Sequence, residues 1–141
     1  MLEEIETPTP DAFVLADLEA GVGTLSRMAE NHVDYLFAIV EPAEKSIQVA
    51  RRAVEMAKKS NVGKVIVLAN RIRETAHLKM LKDLFPGEEI MMIPFDRAIE
   101  DADRAGVAPI DSAPDSPGVN AFEAVVERLL KPVKSRYSKN K

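Results

Sequence analysis

Short apolar runs that alternate with amphipathic stretches constrain the fold of this chain more than any other feature of its sequence. Residues 12–17 (AFVLAD), 35–41 (YLFAIVE), 64–69 (KVIVLA) and 89–93 (EIMMI) are each strand-length and almost wholly apolar. Strands of that kind are buried on both faces, as in a parallel sheet covered by helices. Residues 43–60 carry a helical period, with Ile47, Ala50, Val54 and Ala57 on one face and Arg51, Glu55, Lys58 and Lys59 largely on the other. Pro42 suits the first turn of that helix, and Asn61 and Gly63 end it. A second helix is predicted over residues 74–85, with Leu78, Leu81 and Phe85 inward and Pro86-Gly87 as its stop. A short helix over 96–105 is closed by Gly106. Residues 107–119 hold three prolines and no period and read as a loop. Asn120 is placed to cap a last helix over 121–130, with Phe122, Val125, Val126 and Leu129 inward. A further short helix is expected over 25–31, after a loop that contains Gly21 and Gly23. The order implies an α/β fold: three layers, with a mostly parallel sheet of about four strands flanked by helices.

Residues 12–130 are expected to form a single domain, after a loose lead-in at 1–11 and before a basic tail at 131–141. The formal net charge is −4, which offers no electrostatic attraction for nucleic acid. With no cysteine, disulfides and thiolate metal sites are excluded, which suits a reducing, cytoplasmic compartment. The first six residues lack the pattern of a secretion signal, and no apolar run is long enough to span a bilayer. His32 and His77 have no partner histidine nearby in sequence, and a metal role is not expected of them.

Ligands of parallel sheets bind at the C-terminal ends of the strands. Four such ends carry polar groups or a backbone irregularity here: 17–21 (DLEAG), Glu41-Pro42, Asn70-Arg71 and Pro94-Phe95-Asp96. Together they are expected to build one crevice.

In this order the four sites resemble the deviant-Walker ATPases of the MinD/ParA class, and most closely those that insert nickel into carbon monoxide dehydrogenase. The shared pattern runs from Asp17, Glu19, Ala20 and Gly21 to Arg27, through Val33-Asp34, Val40-Glu41-Pro42 and Ser46. It continues through residues 67–71 (VLANR) and 93–96 (IPFD) to Asp103 and Gly106. The resemblance covers nearly the whole chain and implies a partial P-loop NTPase, Rossmann-like fold. It also implies an ATP or ADP site with Mg²⁺. Asp17 would then end the Walker B strand and hold a Mg²⁺-bound water, as suits a hard cation. Gly21 would bring a backbone N–H to the γ-phosphate within the switch II segment. Asn70, both donor and acceptor, would read the adenine edge beside Arg71, and the loop of Pro94, Phe95 and Asp96 would pack on the base. Glu19 falls within the same set.

One part of that pattern is not in this sequence. The Gly-rich, lysine-bearing phosphate loop of the class should precede Asp17, and no lysine occurs before Lys45. Residues 19–24 (EAGVGT) lack the required lysine, and the metal-linked cysteines of the nickel-insertion proteins are absent. The reading is therefore a binding or interaction module with at most a weak adenine-nucleotide and Mg²⁺ half-site, without ATPase activity of its own. The alternatives are half of a split ATPase completed by a phosphate-loop-bearing chain, or a structural partner that self-associates. In the class, the strand of the phosphate loop lies between the two strands that match 12–17 and 35–40. Those two are therefore expected to pair directly or to receive a strand from another chain.

Overall fold

The computed structural model describes residues 12–18 and 33–131. Three strands, β1 (Val33–Val40), β2 (Val62–Ile72) and β3 (Glu89–Pro94), form a parallel sheet in the order β1-β2-β3. Helix α1 (Glu44–Lys58) joins β1 to β2, and α2 (Thr75–Leu84) joins β2 to β3. Beyond the sheet come α3 (Arg97–Ala105), the single turn α4 (Pro109–Ser112) and α5 (Pro117–Leu130).

Strand alternation distributes the apolar side chains between two cores. Leu36, Ala38 and Val40 of β1 and Val67 and Ala69 of β2 meet Ile47, Ala50, Val54 and Ala57 of α1 and Leu81 of α2, with Phe85. The helix faces expected from the sequence are the faces that pack here. On the other side of the sheet, Ile66, Leu68 and Ile93 pack on Val125 of α5, with Tyr35, Phe37, Met91 and Ala121 at the margin. The architecture is thus a parallel sheet between helices, with three strands among the described residues rather than about four.

The difference lies in residues 12–17. They are in no strand, and Phe13, Val14 and Leu15 are exposed. An apolar run becomes a buried strand only when a neighbouring strand takes up its backbone N–H and C=O groups. In this structure β1 pairs with β2, and no described strand lies along its other edge. Leu18, the residue after that stretch, packs against the first core. The helix expected over 25–31, together with Glu19 and Gly21 and most of the basic tail, lies outside the described residues.

The C-terminal third also departs from expectation. Part of the expected loop is helical, as α4, and α5 begins at Pro117 rather than Ala121. Its cap is Ser116, whose hydroxyl accepts from the Val119 N–H at 3.4 Å, and not Asn120. Serine before proline is the usual pairing of an N-cap with a residue whose missing N–H costs nothing at the first helical position. The buried stripe is Gly118, Val119 and Val125, whereas Phe122 and Val126 are about half exposed. The three-stranded sheet is too narrow to cover the full apolar arc of α5.

A group of charges fastens α5 to the strands it covers. The guanidinium of Arg128 donates to both carboxylate oxygens of Glu89, at 2.6 and 2.9 Å, and Lys64 Nζ lies 2.5 Å from the same carboxylate. These partners hold the Glu89 carboxyl down to about 2 from an ordinary 4.5, chiefly through the Arg128 hydrogen bonds, against burial, which acts in the opposite direction. A depressed folded-state value contributes stability that is complete above the unfolded value and lost as pH falls through the folded one. With Glu89 about a quarter exposed, the contribution is about 1–2 kcal/mol after allowance for solvent screening. Glu89→Gln should therefore flatten the fall in urea stability between pH 5 and pH 2, and should do so without changing the shape of the curve above pH 6.

Candidate functional site

The C-terminal ends of all three strands come together, and the loops that follow them build one surface. Glu41 and Pro42 follow β1, and the Glu41 N–H donates to Ser46 Oγ of α1 at 2.9 Å. That bond ties the strand end to the first turn of the helix.

At the end of β2 the ladder is irregular. Ala69 pairs with Met92 and Ile72 with Pro94, so β2 advances three residues while β3 advances two. The extra residue makes a bulge at Asn70-Arg71, and Arg71 has φ of 55°. A left-handed residue other than glycine costs about 1–2 kcal/mol, and such conformations gather at functional sites. The bulge sets Asn70 half-buried and Arg71 exposed at the crevice. Arg71 is anchored to Glu100 of α3 at 2.8 Å.

The Pro94–Asp96 loop lies alongside. The Phe95 N–H donates to the Ile72 carbonyl at 2.9 Å, which carries the loop on the end of β2. The Arg73 guanidinium lies 3.3 Å from the centroid of the Phe95 ring and that of Arg71 5.9 Å from it, so both cations sit on an aromatic face. Asp96 begins two helices at once. Its carboxylate accepts the Ala98 N–H at 2.9 Å in α3 and the Gly118 N–H at 2.7 Å in α5. Hydrogen bonds from the Gly118 N–H, the Ser116 hydroxyl and the Ala98 N–H, in that order of weight, hold its carboxyl below the ordinary range, with burial opposing them. Asp96 thus fixes the loop rather than presenting a free carboxylate.

Arg71 and Phe95 lie side by side at the adjacent ends of β2 and β3, with Asn70, Pro94 and Asp96 next to them in the chain. Asp17 is exposed and lies in no strand, and Glu19 and Gly21 lie outside the described residues. Among the described residues no three histidine, aspartate or glutamate side chains gather as a metal site.

Sequence reasoning passed over Arg73 and considered His77 only as a metal ligand. With Glu41, Pro42, Ala43 and Arg71 they line an open cleft of about 350 Å³ between the ends of β1 and β2. The available signal was the spacing of Arg71 and Arg73, two cations two residues apart at the end of a buried strand. No described helix is long and apolar enough to cross a membrane.

A parallel sheet flanked by helices, with polar and irregular residues at its C-terminal strand ends, defines a Rossmann-like α/β fold. Comparison with known proteins narrows that class. The chain is 30% identical, over 72% of its length, to the carbon monoxide dehydrogenase accessory protein CooC of Rhodospirillum rubrum. It is 26% and 25% identical, over 86% and 92% of its length, to two uncharacterized ATP-binding proteins of Methanocaldococcus jannaschii. No protein-family model matches it. It is thus a relative, at low identity, of CooC and of these ATP-binding proteins. The chain spans about half or less of the length of these relatives, between 39% and 51%.

Proposed function

We propose that this chain supplies the base-binding side of an adenine-nucleotide site and acts as a binding and interaction module in a reducing, cytoplasmic compartment. The observation that carries the reading is the bulge at Asn70-Arg71 beside the Pro94–Asp96 loop, at the end of a strand whose relatives are ATP-binding proteins. Asn70 offers one donor pair and one acceptor to an adenine edge, and a rigid loop tied to β2 and to two helix starts forms the wall. Contacts to the β- and γ-phosphates are not available from the described residues, because the sequence in hand has no Gly-rich loop ending in lysine. Any Mg²⁺ would arrive with those phosphates, with Asp17 contributing through water as the resemblance implies.

A second reading has its own support. Relatives about twice as long leave room for a phosphate-loop segment, and Leu15 and Ile39, 87% and 61% exposed, offer apolar surface to a partner. In that case the crevice completes an ATPase only with a phosphate-loop-bearing polypeptide, or the chain self-associates.

Titration with ATP and ADP, with and without Mg²⁺, and followed by calorimetry, separates these readings. The base-side site predicts weak binding at millimolar nucleotide, with Asn70→Ala lowering affinity by about tenfold, the worth of one or two hydrogen bonds. No heat from either nucleotide would remove the half-site. Hydrolysis of ATP by the isolated chain at an ordinary enzyme rate would overturn the module reading.

A further inference from the structure

Helix α5 carries more apolar surface than the sheet covers. Phe122, Val126 and Leu130 follow one another at single turns of the helix and are 49%, 53% and 62% exposed. A contiguous row differs from scattered surface residues and marks a place of contact. Glu123 and Glu127 form the adjoining row, one residue further round the helix, and both are exposed. Neither enters an ion pair among the described residues, although Arg128 of the same helix is bonded to Glu89. The surface therefore suits an occupant that presents apolar and basic side chains in parallel rows. A second copy of α5 fits it poorly, since a two-fold pairing sets these acids beside their own counterparts.

The chain itself continues with such an occupant. Lys131 leaves α5 in an extended conformation, and Pro132 cannot prolong the helix. Residues 132–141 (PVKSRYSKNK) hold Lys134, Arg136, Lys139 and Lys141 and no acid. Alternate residues of an extended run point to opposite sides, which puts Val133 and Tyr137 on one side and Lys134 and Arg136 on the other. At about 3.3 Å per residue, Val133 and Tyr137 are about 13 Å apart along such a run, and Lys134 and Arg136 about 7 Å. On the helix, at about 1.5 Å per residue, Phe122 and Leu130 are about 12 Å apart, and Glu123 and Glu127 about 6 Å. The spacings match when the run is antiparallel to α5.

We propose that residues 132–141 fold back on α5, with Val133 and Tyr137 against Leu130 and Phe122 and with Lys134 and Arg136 beside Glu127 and Glu123. The segment is then a salt-sensitive cover over an apolar surface that a partner polypeptide would otherwise take. Being joined to the helix it covers, it needs only weak contacts, since a short tether sets its effective concentration at about millimolar. The inference is independent of both readings of the crevice, because these rows of α5 are no part of it.

The chain has no tryptophan and two tyrosines, so Tyr35→Phe in the full chain leaves Tyr137 as the lone tyrosine and its fluorescence as a specific probe. At low salt, acrylamide should quench Tyr137 several-fold less in this chain than in a free peptide of residues 132–141. Salt at about 1 M, where the Debye length is about 3 Å, should remove most of that protection. Glu123→Lys combined with Glu127→Lys should do the same at low salt, in a chain shown by circular dichroism to be folded. Glu55→Lys, a reversal of an exposed acid on α1 across the sheet, should leave the protection unchanged. The salt series on unaltered α5 asks the same question without a helix substitution. Protection should also be constant on dilution, as for a contact within one chain. The proposal is overturned if Tyr137 of the folded chain is quenched as in the peptide, or if protection survives both salt and the double reversal. Protection that fades on dilution also overturns it, by assigning the contact to a second copy.

Discussion

Leu81→Ala should lower the stability of the folded chain by about 3 kcal/mol, the middle of the range for a buried leucine whose neighbours cannot close the space. Leu81 is wholly buried on α2. It belongs to the core in which α1 and α2 meet β1 and β2, with Val40, Val54 and Phe85 in the same cluster. Truncation removes about three methylene equivalents of buried apolar surface and leaves a cavity in the layer that joins both crossover helices to the sheet. The midpoint of urea unfolding should fall with its slope unchanged, as for a loss of stability without a change in compactness. Leu130→Ala provides the comparison: with Leu130 62% exposed at the end of α5, its effect should stay within about 0.5 kcal/mol. Similar losses for the two variants would show that this face of the sheet is not where the core lies.

Gly118→Val should cost about 2–3 kcal/mol and should disturb the Pro94–Asp96 loop as well as the helix it starts. A side chain at position 118 would place Cβ 2.4 Å from Cδ1 of Ile99 and 3.0 Å from Cβ and Oδ2 of Asp96. Ile99 can turn its terminal methyl aside, but Asp96 has less freedom. Its carboxylate holds the starts of α3 and α5 together, through the N–H groups of Ala98 and Gly118. Moving it releases a donor at each helix start and shifts the wall against which an adenine would rest. The steric account requires that Ile99→Ala in the same chain restore part of the loss, as a coupling in a double-mutant cycle. A strictly additive pair would assign the cost to something other than this contact. In the same protein, nucleotide affinity should fall with Gly118→Val and remain with Leu81→Ala at temperatures where both are folded.

The residues behind these two predictions differ in how far the sequence announced them. Leu81 is legible: it sits at helical spacing from Leu78 and Phe85 in a stretch bounded by Pro86-Gly87, and such a face packs wherever a sheet is offered. The same holds for Ile47, Ala50, Val54 and Ala57, and for the strands at Leu36, Val67 and Ile93. Gly118 looked like a loop residue among prolines. Its place against Asp96, 22 positions away, depends on how α3 and α5 converge, which no local pattern carries. Phe122 and Val126 fail for the complementary reason. Their spacing marks an apolar face, but burial depends on the width of the sheet beneath it, and that width is a property of the assembly of strands. The candidate site divides in the same way. Asn70, Arg71 and the Pro94–Asp96 loop are recognisable as strand ends, whereas Arg73 stacking on Phe95 and the unpartnered His77 nitrogen emerge only from side chains of different elements brought side by side.

The alternation of apolar runs with amphipathic stretches was enough, by itself, to determine a parallel α/β sheet with crossover helices and polar strand ends. Periodicity is local, and a strand or helix face reports its own burial demand. Whether that demand is met is decided between elements. Tertiary structure alone paired β1 with β2, left residues 12–17 outside the sheet, turned α5 so that Val119 and Val125 face inward, and placed the Asn70-Arg71 bulge beside Phe95. Each of these rests on hydrogen bonds or contacts between residues distant in sequence, whose partners the chain selects only as it packs.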